Sequence, residues 1–109
     1  MAEFPSACFV PIDEEASEKW QNDCTYCDEE KILYFPVYEE EEDLFWPVAD
    51  KINKKYHVLI QYMEQEDVPY EHLEGCLELV NEVEALKDGN VAKALKKGIE
   101  LKMPVSFYF

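Results

Sequence analysis

Apolar residues recur along this chain in two rhythms. Ala7 to Ile12 is a short apolar run interrupted by Pro11, whose missing backbone donor suits a short edge strand better than a central one. Ile32 to Tyr38 is continuous, Ile-Leu-Tyr-Phe-Pro-Val-Tyr, too short for a helix and rich in side chains that pack on a pleated surface, which predicts a strand. His57 to Met63 reads as another. Near the end, Ile99, Leu101, Met103, Val105, Phe107 and Phe109 alternate with mostly polar neighbours, the pattern of a strand with one buried face. Pro104 removes one donor from that strand and places it at a sheet edge or at a local break.

The helical rhythm is clearest after Pro69. Leu73, Cys76, Leu77, Val80 and Val83 share one face, with Pro69 as opening residue and Gly89 marking the end. On the opposite face Glu71, Glu74, Glu78 and Glu82 fall three, four and four apart and gather toward solvent. A second helix is predicted from Asp43 to Lys55, where acids crowd the start and Lys51, Lys54 and Lys55 the end, complementing the dipole. Pro47 is tolerable there only in the first helical turn. Asp13 can cap a brief helix through Trp20, Asn22 to Glu30 reads as a polar loop, and Asn90 can cap a basic helix to Lys97 that Gly98 closes. The expected class is α/β (or α+β): residues 1–109 as a single compact domain, a three- to four-stranded sheet packed with about four helices.

Charge changes the picture most. The 109 residues carry 25 acids against 10 basic residues, all lysine, for a formal charge of −15. Through residue 84 there are 23 acids and 5 lysines; after it, 2 acids and 5 lysines. Such a field repels phosphate and anionic lipid and speeds encounter with a basic protein, so direct nucleic-acid and membrane partners are not expected. With 48% apolar and 14% aromatic residues the chain can still bury a core. No apolar run approaches the ~20 residues of a membrane-spanning helix, and no basic segment precedes an apolar stretch at the N-terminus, so the expected location is cytoplasmic.

Catalytic chemistry finds little footing. His57 and His72 have no nucleophile in a recognised arrangement, arginine is absent, and the glycines form no phosphate-cradling loop, so no enzyme is expected. The pair Cys24-Thr25-Tyr26-Cys27 has the spacing of zinc sites and redox dithiols, but a zinc site would have to recruit Cys8, Cys76, His57 or His72 from scattered positions. Asp23, Asp28, Glu29 and Glu30 around the pair oppose a thiolate. Free thiols, no metal and no cofactor are the reading; a small metal or thiol protein built on Cys24 and Cys27 is the alternative from another class.

What remains is acid beside aromatic. Tyr38, Phe45 and Trp46 flank Glu39, Glu40, Glu41, Glu42 and Asp43, large apolar surface ringed by carboxylates of the kind that forms a binding hot spot. Together with Asp13-Glu14-Glu15, with Glu64-Gln65-Glu66-Asp67 and with the Leu73–Val80 helix, this arrangement resembles the small acidic immunity proteins of bacteria. That resemblance implies an inhibitor that neutralises a cognate basic toxin, such as a nuclease, by blocking its active site. Ala94 to Leu101 and the strand after it also look like the last helix and strand of the barstar fold, which implies parallel strands alternating with helices. The candidate partner-binding residues are Tyr38, Glu39, Glu40, Glu41, Glu42, Asp43, Trp46, Glu64, Glu66 and Asp67, facing a basic protein such as a toxin. A DNA mimic, whose carboxylates replace phosphates in a protein's nucleic-acid groove, uses the same physics on another target.

Overall fold

The structure is a computed structural model that describes residues 6–22, 30–61 and 64–109. Its elements run β1 (Ser6–Pro11), α1 (Glu14–Asn22), β2 (Ile32–Val37), α2 (Glu39–Tyr56), β3 (Gln65–Val68), α3 (Leu73–Asn81), α4 (Asn90–Leu101) and β4 (Val105–Tyr108), with 3-10 turns at Tyr70–His72 and Glu84–Leu86. The four strands form one sheet in the order β2-β1-β4-β3, every neighbouring pair antiparallel. The fold is therefore α+β. The parallel strands that the barstar resemblance implied are absent from this sheet, although a last helix and a last strand do follow one another.

Alternation along the strands sorts the two faces of the sheet. Cys8 and Val10 of β1 and Val105 and Phe107 of β4 point into the core with Phe45, Val48 and Ile52 of α2, Leu73, Cys76 and Val80 of α3, and Val91 and Leu95 of α4. Phe45 stacks on Phe107 at 5.6 Å, and Phe109 meets both rings edge-on. On the other face α1 lays Trp20 against Phe9 at 4.9 Å, and its Nε1 donates to Ser106 Oγ at 2.9 Å. Asp13 starts α1 as expected, its Oδ1 accepting from Ala16 N at 2.8 Å.

Several boundaries differ from the expectation, each for a local reason. β1 is a central strand, not an edge. Its pairing with β4 stops at Phe9, so the missing donor of Pro11 falls beyond the last β4 partner and costs the sheet nothing. Proline instead marks the true edge at Pro36 of β2, whose carbonyl accepts from Asn90 Nδ2 at 2.6 Å. α2 starts four residues before the expected Asp43, because Glu39 to Glu42 make a first turn favoured by the helix dipole; Pro47 consequently lies inside the helix. α2 ends at His57, which turns the chain in the left-handed region at φ 57°.

His57 to Gln61 is not a strand, and Tyr62 and Met63 lie outside the described residues. Both backbone groups of Ile60 are taken by one side chain: its N–H donates to Asn53 Oδ1 at 2.8 Å and its carbonyl accepts from Asn53 Nδ2 at 3.0 Å. The third strand follows at Gln65–Val68. α3 ends at Asn81 rather than near Gly89, so Glu82 and Val83 lie past it and a 3-10 turn intervenes. Gly89, not Asn90, holds the cap position of α4, and Gly98 lies within that helix, which runs on to Leu101 and closes at Lys102 in the left-handed region. Ile99 and Leu101 are therefore helical, only Val105–Tyr108 is strand, and Pro104 precedes a strand that is central rather than at the edge.

Candidate macromolecular interface

The acidic run that opens α2 divides by helical position. At about 100° per residue, Glu39, Glu40 and Asp43 fall on the outward arc with Leu44, Pro47 and Asp50, and all six are exposed. Glu41 and Glu42 fall toward the protein and are half-buried. Glu41 accepts from the backbone N–H groups of Asn90 and Val91 at 3.1 and 2.8 Å, capping α4 from another helix. Gly89 makes this possible, since a Cβ there would lie 2.6 Å from Glu41 Oε2. Glu42 accepts from Ser6 Oγ and from Trp46 Nε1, the latter at 3.2 Å.

The aromatic residues divide in the same way. Tyr38 is 66% exposed at the start of α2. Phe45 is fully buried, and Trp46 is half-buried, edge-on to Phe109 at 5.4 Å. Of the second expected cluster, Glu64 is exposed and accepts from Gln61 Nε2 at 2.6 Å, whereas Glu66 and Asp67 are half-buried. Glu66 accepts from Leu59 N at 2.6 Å, and Asp67 accepts from Ser106 Oγ. The carboxylates of Glu41, Glu42, Glu66 and Asp67 thus hold the fold together, while Tyr38, Glu39, Glu40, Asp43 and Glu64 face outward. Leu44, 43% exposed, and Pro47 join that outward face without having been expected there.

α3 runs antiparallel to α2. Tyr56 at the end of α2 stacks on His72 just before α3 at 4.3 Å, and Lys51 reaches Glu82 just after it at 3.8 Å. Glu71, Glu74, Glu78, Glu82, Glu84 and Asp88, all exposed, therefore follow the length of α2 from its last turn back toward its first. On α3 the step from Glu74 to Glu78 is one turn, about 6 Å. Negative charge is not confined to that side, because Glu14, Glu15 and Glu18 of α1 lie on the opposite face of the sheet. The exposed Lys93 and Lys96 and the half-exposed Lys97 of α4 form the basic counterpart.

Every described carboxylate outside Glu41, Glu42, Glu66 and Asp67 is exposed. Ion pairs join Glu15 to Lys19, Glu82 to Lys51, Glu84 to Lys87 and Glu100 to Lys97. None among the described residues engages Glu39, Glu40, Asp43, Glu74 or Glu78.

Known proteins add one likeness. The fold matches the Neisseria DNA mimic protein DMP12 with a TM-score of 0.59 over 97% of this chain and 100% of that one, at 14% sequence identity. No protein-family model matches the sequence, and no curated protein matches it either. At that identity the shared property is the fold.

The described cysteines are core side chains. Burial pushes the Cys8 thiol well above its ordinary range, with the Glu41 carboxylate adding to the effect, and burial pushes Cys76 up to about 12 against a smaller opposing pull from Lys55. Cys24 and Cys27 lie outside the described residues. Among the described residues no three His, Cys, Asp or Glu side chains are grouped to hold a metal ion, so Cys8, Cys76, His57 and His72 are not brought together as ligands. Among the described residues no helix is long and apolar enough to cross a membrane.

Proposed function

We propose that this protein is a DNA-mimic inhibitor, which occupies the nucleic-acid groove of a basic protein with carboxylates in place of phosphates. One observation carries the reading: Glu39, Glu40 and Asp43 at the start of α2 and Glu74 and Glu78 of α3 are exposed, and no ion pair among the described residues engages them. Self-repulsion of this kind costs stability, and cationic groups arriving from a partner relieve it. A one-turn carboxylate spacing of about 6 Å is of the order of the path between successive phosphates of one strand, whose axial rise alone is about 3.4 Å. The fold likeness to a DNA mimic protein supports the same reading and ranks it above an immunity protein directed at a toxin, which shares the charge argument but not the likeness. The contact residues proposed are Tyr38, Glu39, Glu40, Asp43 and Glu64, with Leu44 and Pro47 on the same outward arc of α2.

The test is capture of basic proteins from the native host on the immobilised chain at low ionic strength, followed by a challenge with duplex DNA. Release of the captured protein by duplex, and its independent binding to that duplex, is the expected result. Retention of the captured protein at saturating duplex would overturn the proposal. A captured protein that shows nuclease activity, which the chain abolishes, would restore the toxin-directed reading.

A further inference from the structure

A groove of about 400 Å³ lies between α1 and the β3 end of the sheet, lined by Ser17, Gln21, Asp67, Pro69, Tyr70 and Pro104. It is remote in sequence from the acidic start of α2 and sits on the face of the sheet that α1 covers. Its one carboxylate is held in place. Trp20 Nε1 donates to Ser106 Oγ at 2.9 Å, and that hydroxyl in turn donates to Asp67 Oδ1. Gln65 Nε2 reaches the same oxygen at 3.4 Å. Among the described residues no hydrogen bond is made to Asp67 Oδ2, and no lysine pairs with this carboxylate.

The walls have a matching character. Pro69 and Pro104 are apolar, half-buried and unable to donate from their backbone nitrogens, and Tyr70 presents a ring that is 41% exposed. Ser17 and Gln21 supply further acceptors at the rim. A fixed carboxylate, apolar walls and an open aromatic face suit a ligand with an apolar stem and a flat cationic head. A phosphate or carboxylate ligand would be repelled, and a wholly apolar one would desolvate Asp67 Oδ2 without giving it a partner.

We infer that this groove receives one arginine side chain of a protein partner, its guanidinium on Asp67 and its stem between Pro69, Pro104 and Tyr70. The inference rests on the proposed basic partner and adds a point of specific recognition away from the α2 surface. Ser106 and Trp20 are positioning residues here, since they orient Asp67 without touching the guest.

Arginine blocked at both ends as N-acetyl and N-methylamide is a sufficient probe, because it carries the side chain as a polypeptide would. Its titration into the full chain at physiological salt is followed by proton–nitrogen NMR. The expected result is saturable shifts at the Trp20 indole N–H and at Asp67 and Tyr70. The uncharged citrulline counterpart should bind at least about tenfold more weakly, and so should the arginine probe on Asp67→Asn, which keeps the acceptor for Ser106. Tyr70→Ala, read independently should Asp67→Asn fail to fold, should weaken binding about threefold. Equal shifts with citrulline, or shifts spread along Glu39 to Asp43 as strongly as around Asp67, would overturn the inference. Because the probe is a small molecule, this outcome is independent of whether duplex DNA displaces a captured protein.

Discussion

Removing the Glu41 carboxylate should cost more stability than removing any of its exposed neighbours. The two N–H groups that it accepts, Asn90 and Val91, belong to the first turn of α4 and lie half-buried and buried. Helix-cap deletions cost about 0.5–2 kcal/mol, and hydrogen bonds to a charged acceptor contribute about 1.5–3 kcal/mol each. Because water can reach the vacated N–H groups in part, Glu41→Ala should lose about 2 kcal/mol. For a domain of this size that is a fall in Tm of about 8 °C. Glu41→Gln, which keeps one acceptor but loses the charge, should fall between the variant and the wild type. Gly89→Ala should reproduce much of the loss, since its Cβ would lie 2.6 Å from Glu41 Oε2 and must expel the carboxylate. Combining Gly89→Ala with Glu41→Ala should cost clearly less than the sum, because both remove one interaction. Urea denaturation followed by far-ultraviolet circular dichroism reads all four, with Glu78→Gln on the exposed face of α3 as a control expected within about 0.5 kcal/mol of wild type. A Glu41→Ala loss no larger than the control, or full additivity with Gly89→Ala, refutes the reasoning.

Other consequences follow from the same packing. At Gly98 a Cβ would stand 2.7 Å from both Leu73 Cδ1 and Val105 Cγ2, so Gly98→Ala should destabilise by about 1–3 kcal/mol in urea denaturation even though alanine is the better helix former. Pro47 denies α2 a backbone hydrogen bond to Asp43 in mid-helix, so Pro47→Ala should raise stability by about 1–3 kcal/mol; no gain in Tm would show that the helix needs the break for its packing. In Cys24→Ser/Cys27→Ser protein, Cys8 and Cys76 should react with a thiol reagent at pH 8 only as fast as the core opens, and rapidly once urea unfolds the chain. Their raised pKa values also set a sign. The folded thiols keep their protons when unfolded ones begin to lose them near 9, so stability is intact below that pH and falls as pH rises toward about 12. A Tm flat from pH 8 to 11 would contradict this.

Elements whose signal is local were legible in the sequence. Asp13 and the acids after it mark α1, the aromatic run at Ile32 marks β2, and the acidic start and basic end of α2 follow from the dipole. What escaped sequence reading depends on contacts distant in the chain. Nothing near Ile60 announces that Asn53 will occupy both of its backbone groups, so its apolar neighbourhood reads as a strand. Proline at position 11 is an edge signal only if the strand is paired on both sides there, and β4 stops short of it. The roles of the acids were hidden for the same reason. Adjacent glutamates at 39 to 42 look alike in sequence, yet Glu41 faces a helix terminus about fifty residues further on, and Glu42 faces Ser6. The groove around Asp67 draws on residues from 17 to 104, and no spacing rule brings these together.

Mutual exclusion on an isolated partner is the most direct measure of mimicry. With a captured partner bound to a fluorescently labelled duplex, added chain should lower the anisotropy to that of free duplex at one-to-one stoichiometry. Displacement should weaken as salt rises, and it should be impaired several-fold by replacing Glu39, Glu40 and Asp43 together with their amides. A ternary complex, in which the partner holds duplex and this protein at once, would rule out mimicry.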